Sequence, residues 1–140
     1  MDTHASPIVS SSDLERIEAL LDAFPERALP GREALIGELD RAEIRPPQDM
    51  PPDVVTMNST VRFTMAVPPR EFCLTLVYPE DAGAEDKLSV FAPVGSALLG
   101  LSAGQGIEWP HPRGGVLRVD VLEVVAQPER EGRVAGTPAR

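Results

Sequence analysis

Between Arg45 and Asp53 the chain reads RPPQDMPPD, with four prolines in seven residues from Pro46 to Pro52. Proline fixes φ and has no N–H to give to a helix or a ladder. Such a stretch can be neither a helix interior nor a central strand. It is expected to form an extended, semi-rigid linker. The residue pattern changes across it. Upstream, apolar residues recur at helical spacing; downstream, they alternate at strand spacing. A chain divided in this way is expected to be α+β, with helices first and a sheet after them.

Ser12-Asp13-Leu14-Glu15 reads as a capping box, with Ser12 as the N-cap and Glu15 reaching back to it. Leu14, Ile17, Leu21 and Phe24 then form one stripe, so a first helix is expected from Asp13 to Phe24, where Pro25 stops it. A second helix is expected from Pro30 to Ile44, with Leu35, Leu39 and Ala42 on its apolar face. Two helices joined by a short loop predict an antiparallel hairpin over residues 12–45, a truncated coiled coil about 18–20 Å long. Helices this short are unstable alone, so part of the seam must bury against the rest of the chain or a partner. Residues 1–11 are expected to be disordered, and residues 46–53 form the linker.

Residues 54–127 carry β character. Thr60 to Val67 places Val61, Phe63 and Met65 on one face. Glu71 to Tyr78 places Phe72, Leu74, Leu76 and Tyr78 on one face, and Pro68-Pro69-Arg70 turns between the two runs. PEDAGAEDK, Pro79 to Lys87, reads as an acidic surface loop. Leu88 to Phe91 reads as a short strand entering Pro93, followed by a single helical turn over Val94 to Leu99 that Gly100 closes. Proline suits the first helical position and glycine the left-handed residue after the last turn. Ile107 to Trp109 and Val116 to Ala126 complete the strands. In the last of these Leu122, Val124 and Val125 break the alternation, which predicts a bulge or burial on both faces. Residues 128–140 are expected to be a disordered tail.

The formal net charge is −9, and no basic patch interrupts it. Nucleic-acid binders need such a patch to neutralise phosphates, so direct binding to DNA or RNA is not expected. The lone Cys73 excludes an internal disulfide framework. With no basic leader and no membrane-length apolar run, the expected location is cytoplasmic. Chemistry is hard to find. His4 and His111 have no ligand partner at metal-binding spacing. Cys73 lies mid-strand without the positive neighbour that activates a thiol. Gly100, Gly104 and Gly106 lack the Lys of a phosphate loop and serve a helix end and a turn. The hairpin acids, among them Asp13, Glu15, Glu18, Glu33 and Glu38, are expected on solvated helix faces. No enzyme activity, metal, cofactor or small-molecule substrate is expected.

The segments LERIEALL (Leu14 to Leu21), ELDRA (Glu38 to Ala42), MPPDVVTMNSTVRF (Met50 to Phe63), TLVYP (Thr75 to Pro79) and LSVFAPVGSALLGL (Leu88 to Leu101) carry a resemblance. Together they resemble the family called regulator of nucleoside diphosphate kinase, a relative of the Gre transcript-cleavage factors. Asp53 to Ser59 is the most specific of these runs. The resemblance implies an FKBP-like antiparallel β domain with one mini-helix, behind a shortened coiled coil. It implies core RNA polymerase as partner, bound near the secondary channel in competition with Gre factors. In that group a polar residue before the mini-helix proline contacts polymerase. The corresponding positions are Phe91, Ala92 and Pro93. Pro93 is kept and the polar residue is not, so a hydrophobic dock through Phe91 and Pro93 is expected.

Gre-type cleavage requires a long coiled coil whose tip carries paired acids to the polymerase Mg²⁺. The expected tip holds Glu26 beside Arg27, a single carboxylate next to a guanidinium. The expectation is a non-catalytic competitor with an indirect effect on the level of the kinase. The alternatives are an FKBP-like prolyl isomerase, a direct effect on the kinase, and an interaction module for another partner.

Overall fold

The computed structural model describes residues 7–23, 32–65, 70–110, 115–128 and 130. The chain opens with a three-residue strand β1 (Ile8–Ser10) and helix α1 (Ser11–Ala23), followed by helix α2 (Arg32–Asp40) and strand β2 (Glu43–Arg45). After a 3-10 turn at Pro47–Asp49 come β3 (Thr60–Met65), β4 (Arg70–Val77), a second 3-10 turn at Pro79–Asp81, and β5 (Lys87–Ser89). Helix α3 (Pro93–Leu98), β6 (Gly106–Pro110) and β7 (Val116–Ala126) complete the order. The architecture is α+β, and β1 and β2 form their own two-stranded sheet beside a five-stranded one.

The helical ends differ from the sequence reading. The cap of α1 is Ser10, whose Oγ accepts the Asp13 N–H at 3.1 Å, so the cap lies two residues earlier than the expected Ser12. Residues 8–10, expected to be frayed, pair in parallel with residues 43–45, expected to be helical. The Glu43 N–H donates to the Pro7 carbonyl at 2.8 Å and the Ile8 N–H to the Gly100 carbonyl at 3.2 Å. These long-range backbone bonds override local helix propensity, which is a weak term. They also bring the start of α1 and the end of α2 to one end of the unit. The connection between the helices, including Glu26 and Arg27, lies outside the described residues.

The large sheet runs β5-β4-β3-β7-β6. It is mixed rather than wholly antiparallel, because β5 lies parallel to β4, with Thr75 opposite Lys87 and Val77 opposite Ser89. Tyr78 to Asp86 supplies the return crossover that a parallel pair requires. The alternation read from sequence holds on β3 and on β4 as far as Leu76: Val61, Phe63 and Leu76 are buried, Glu71 and Cys73 face out, and Val77, expected on the outer face, is buried as well. Phe63 and Phe72 stand directly opposite and stack at 5.4 Å between ring centroids. The broken alternation of β7 is resolved by two register shifts against β3. These leave Leu122 and Val125 unpaired and exposed, while Val121 and Val124 stay inward.

Among the described residues, one apolar cluster draws on both the helices and the β domain. Ile17, Leu21, Leu35 and Leu39 from the helices join Val61, Phe63, Leu98, Trp109, Val119 and Val121 from the β domain. The proline-dense linker is pinned rather than loose. Met50 is buried, and the Gln127 side-chain amide donates to the Pro51 and Val54 carbonyls at 2.8 and 2.7 Å. Arg130 adds a bond to the Pro52 carbonyl. Gln127, the last residue of the expected domain, is fully buried. A buried amide is held there because linker carbonyls outside any ladder must still find donors.

Candidate docking rim and the socket behind it

Phe91, Ala92 and Pro93 form the approach to α3, and each is half-buried. The Phe91 N–H donates to Ser89 Oγ at 3.1 Å and the Ala92 N–H to the Ser89 carbonyl at 3.0 Å. Ala92 is extended, Pro93 occupies the first helical position, and the Ser96 N–H returns to the Ala92 carbonyl at 2.8 Å. Inside the helix, Ser96 Oγ donates to the Val90 carbonyl at 2.6 Å. The helix rests directly on β5. A Cβ on Gly95 would lie 2.0 Å from the Ser89 carbonyl oxygen, so only glycine permits this approach. At the other end Gly100 has φ of +87°, a Cβ there would lie 2.5 Å from Pro7 Cβ, and its carbonyl accepts the Ile8 N–H, which seats β1 against the end of the mini-helix. The rim is therefore a fixed apolar step with its side chains partly open to solvent.

Other sequence-derived candidates are scattered. Cys73 is exposed on the outer face of β4. His4 and His111 lie outside the described residues. Among the described residues no group of three or more His, Cys, Asp or Glu is placed to hold a metal ion. Phe63, Tyr78 and Trp109, which a prolyl-isomerase cleft would need along its walls, are buried in the core. Arg62 bridges Glu71 and Glu123 across three strands on the outer face of the sheet. The hydrogen bond it donates to Glu71, then the one it donates to Glu123, holds its pKa above the usual arginine value. No helix among the described residues is long and apolar enough to cross a membrane.

One residue departs from its expected place. Glu15, Glu18 and Glu33 are solvated as expected, but Asp13 is only 5% exposed. Its Oδ2 accepts the Met57 N–H at 3.2 Å and its Oδ1 accepts the Tyr78 hydroxyl at 3.3 Å. The first turn of a helix favours a carboxylate, since unpaired N–H groups point toward it. The Thr56–Ser59 turn holds the Met57 amide in position. The Ser59 N–H donates to the Thr56 carbonyl, the Thr56 N–H donates to Ser59 Oγ, and the two hydroxyls lie 2.8 Å apart. Sequence reasoning singled out this run as distinctive without seeing what it receives. A compact Thr-x-x-Ser turn downstream of an Asp in the first turn of a helix was the available signal.

This geometry accords with the relatives. Residues 8–44 match the family description Rnk N-terminus, and residues 50–126 match transcription elongation factor GreA/GreB, C-term. The regulator of nucleoside diphosphate kinase from Escherichia coli strain K12 is 45% identical over 126 residues, covering 89% of this chain and 93% of that protein. Transcription elongation factor GreA of Chloroherpeton thalassium is 36% identical over 87 residues, covering 61% of this chain and 54% of its own length. A solved structure described as prokaryotic transcription elongation factor GreA/GreB from Nitrosomonas europaea superposes with a TM-score of 0.68 at 54% identity, covering 87% of this chain and 99% of that one. The fold and these matches support a transcription-factor-like regulator with a GreA/GreB-type C-terminal domain. Within that class, the chain belongs to the regulator of nucleoside diphosphate kinase family.

Proposed function

We propose that this protein docks on core RNA polymerase near the secondary channel, through the Phe91–Pro93 rim, and competes there with Gre factors without provoking transcript cleavage. The observation that carries the reading is the combination of a complete Gre-type domain with two short helices. Helix α1 has 13 residues and α2 has 9. At about 1.5 Å per residue these reach roughly 20 and 14 Å. Cleavage of the Gre kind needs acids delivered to a metal centre deep in the channel, where they complete a two-metal site. A stub of this length occupies the entrance and delivers none. Glu26 and Arg27 are the residues we assign to its tip. Any effect on nucleoside diphosphate kinase then passes through transcription rather than through contact with that enzyme.

The test is competition on a backtracked elongation complex. Adding this protein should lower the cleavage stimulated by a Gre factor, in proportion to its concentration, while producing no cleaved transcript alone. Cleavage by the protein alone would overturn the reading, as would an inability to displace the Gre factor. A Phe91→Ser variant should compete at least about tenfold less well, equivalent to about 1.4 kcal/mol of lost binding.

A further inference from the structure

Asp13 is a carboxylate removed from solvent at the base of α1, and burying a charge is costly unless donors surround it. The cap of the helix is the Ser10 hydroxyl. Both of the donors described above come from the β domain, across 44 and 65 residues of sequence. Those donors are themselves fixed. The Asn58 N–H donates to the Leu76 carbonyl and the Leu76 N–H to the Ser59 carbonyl, so the Thr56–Ser59 turn is fastened to β4. Tyr78 immediately follows β4. One turn further along α1, the Arg16 guanidinium lies 4.0 Å above the Tyr78 ring and pairs with Glu80. On the other side of the helix start, Ile8 is tied to Gly100 at the end of the mini-helix. Ile17 and Leu21 hold α1 on the shared core, and the polar attachments on either side of its first turn set its direction.

We propose that Asp13 is an interdomain latch: seated on the Met57 amide and the Tyr78 hydroxyl, its carboxylate sets the angle at which the helical pair leaves the β domain and so positions the pair relative to the Phe91–Pro93 rim. Asp13 is a positioning residue, acting through the direction of α1. The consequence for docking rests on the polymerase reading above; the latch itself does not.

Cys73, the lone cysteine and an exposed one, provides a fixed label site on the β domain, and Glu18→Cys provides a second on the exposed face of α1. Spin labels at both sites in the full chain should give one narrow distance distribution. Asp13→Asn should broaden or displace it, because the amide offers an N–H₂ where the socket also presents donors. Glu15→Gln, at an exposed position of the same helix, should leave the peak in place. Thermal unfolding of each variant is recorded alongside. An Asp13→Asn protein that is less stable but keeps the narrow wild-type peak would overturn the latch, since that residue would then be a structural prop only. If Asp13→Asn does not fold, Tyr78→Phe, which removes a single hydroxyl, is judged by the same criterion.

Polymerase competition separates the two readings. If the latched angle is populated a tenth of the time in Asp13→Asn, its apparent affinity should fall about tenfold. Failure of the wild-type protein to compete would overturn the docking reading and leave the distance result standing. An unchanged distance would overturn the latch and leave the docking reading intact.

Discussion

The helical unit and the β domain meet the demands of burial in different ways. The β domain closes most of its own accounts through a five-stranded ladder, a stacked Phe63–Phe72 pair and a mini-helix lying directly on a strand. The helical unit has two short helices and two three-residue strands, and its buried side chains Ile17, Leu21, Leu35 and Leu39 join the β domain's cluster. Helices of about a dozen residues are marginal in water by themselves. The difference teaches that the two units are unequal partners: the helical one depends on the other for its stability and its direction.

Severing the chain within the proline-dense linker offers the most severe test of that inequality. A fragment of residues 1–49 should show almost no helix by far-UV circular dichroism, while residues 50–140 should retain a β spectrum and a cooperative melt. A helical 1–49 fragment would break the comparison. Next in size, Phe63→Ala should cost about 3–5 kcal/mol in urea unfolding, because the cavity opens in the cluster that both units share. That loss should appear as one transition reported equally by helix and sheet signals.

Gly100→Ala probes the junction itself. The left-handed φ costs an ordinary residue about 1–2 kcal/mol, and the new methyl would meet Pro7 Cβ at 2.5 Å. Hydrogen exchange at the Ile8 amide should speed up more than exchange in β3 or β7. Equal acceleration throughout would show that β1 is not separately attached. Smallest of all, Arg16→Ala should change stability by under about 1 kcal/mol, less at high salt, since its pairing with Glu80 is exposed.

Legibility followed the same division. The limits of β7 could be read from Val116 to Ala126, and its irregularity from the broken alternation at Leu122, because period-2 patterning is written into consecutive residues. The mini-helix was equally plain, since Pro93 and Gly100 each report on their own backbone. The rim residues Phe91, Ala92 and Pro93 came from resemblance, and the structure adds the bonds that hold them. Ser10 and Asp13 were misread as frayed terminus and solvated acid, and the anchoring role of Gln127 was not seen. Each is polar, and Asp13 and Gln127 take their roles from groups far away in sequence. No local pattern marks a polar residue whose partner lies 44 residues on.

The order of amino acids alone determined a helical front and a β-rich back divided by prolines, together with the strand faces and the Pro–Gly limits of the mini-helix. These depend on side-chain periodicity and on the backbone freedom of single residues, which are properties of neighbours along the chain. Tertiary structure decided the parallel pairing of β1 with β2 and of β4 with β5, the burial of Asp13, and the anchoring of Gln127. Each of these satisfies a backbone or carboxylate group across a long loop. The energy of such a bond exists only once the fold has brought donor and acceptor together.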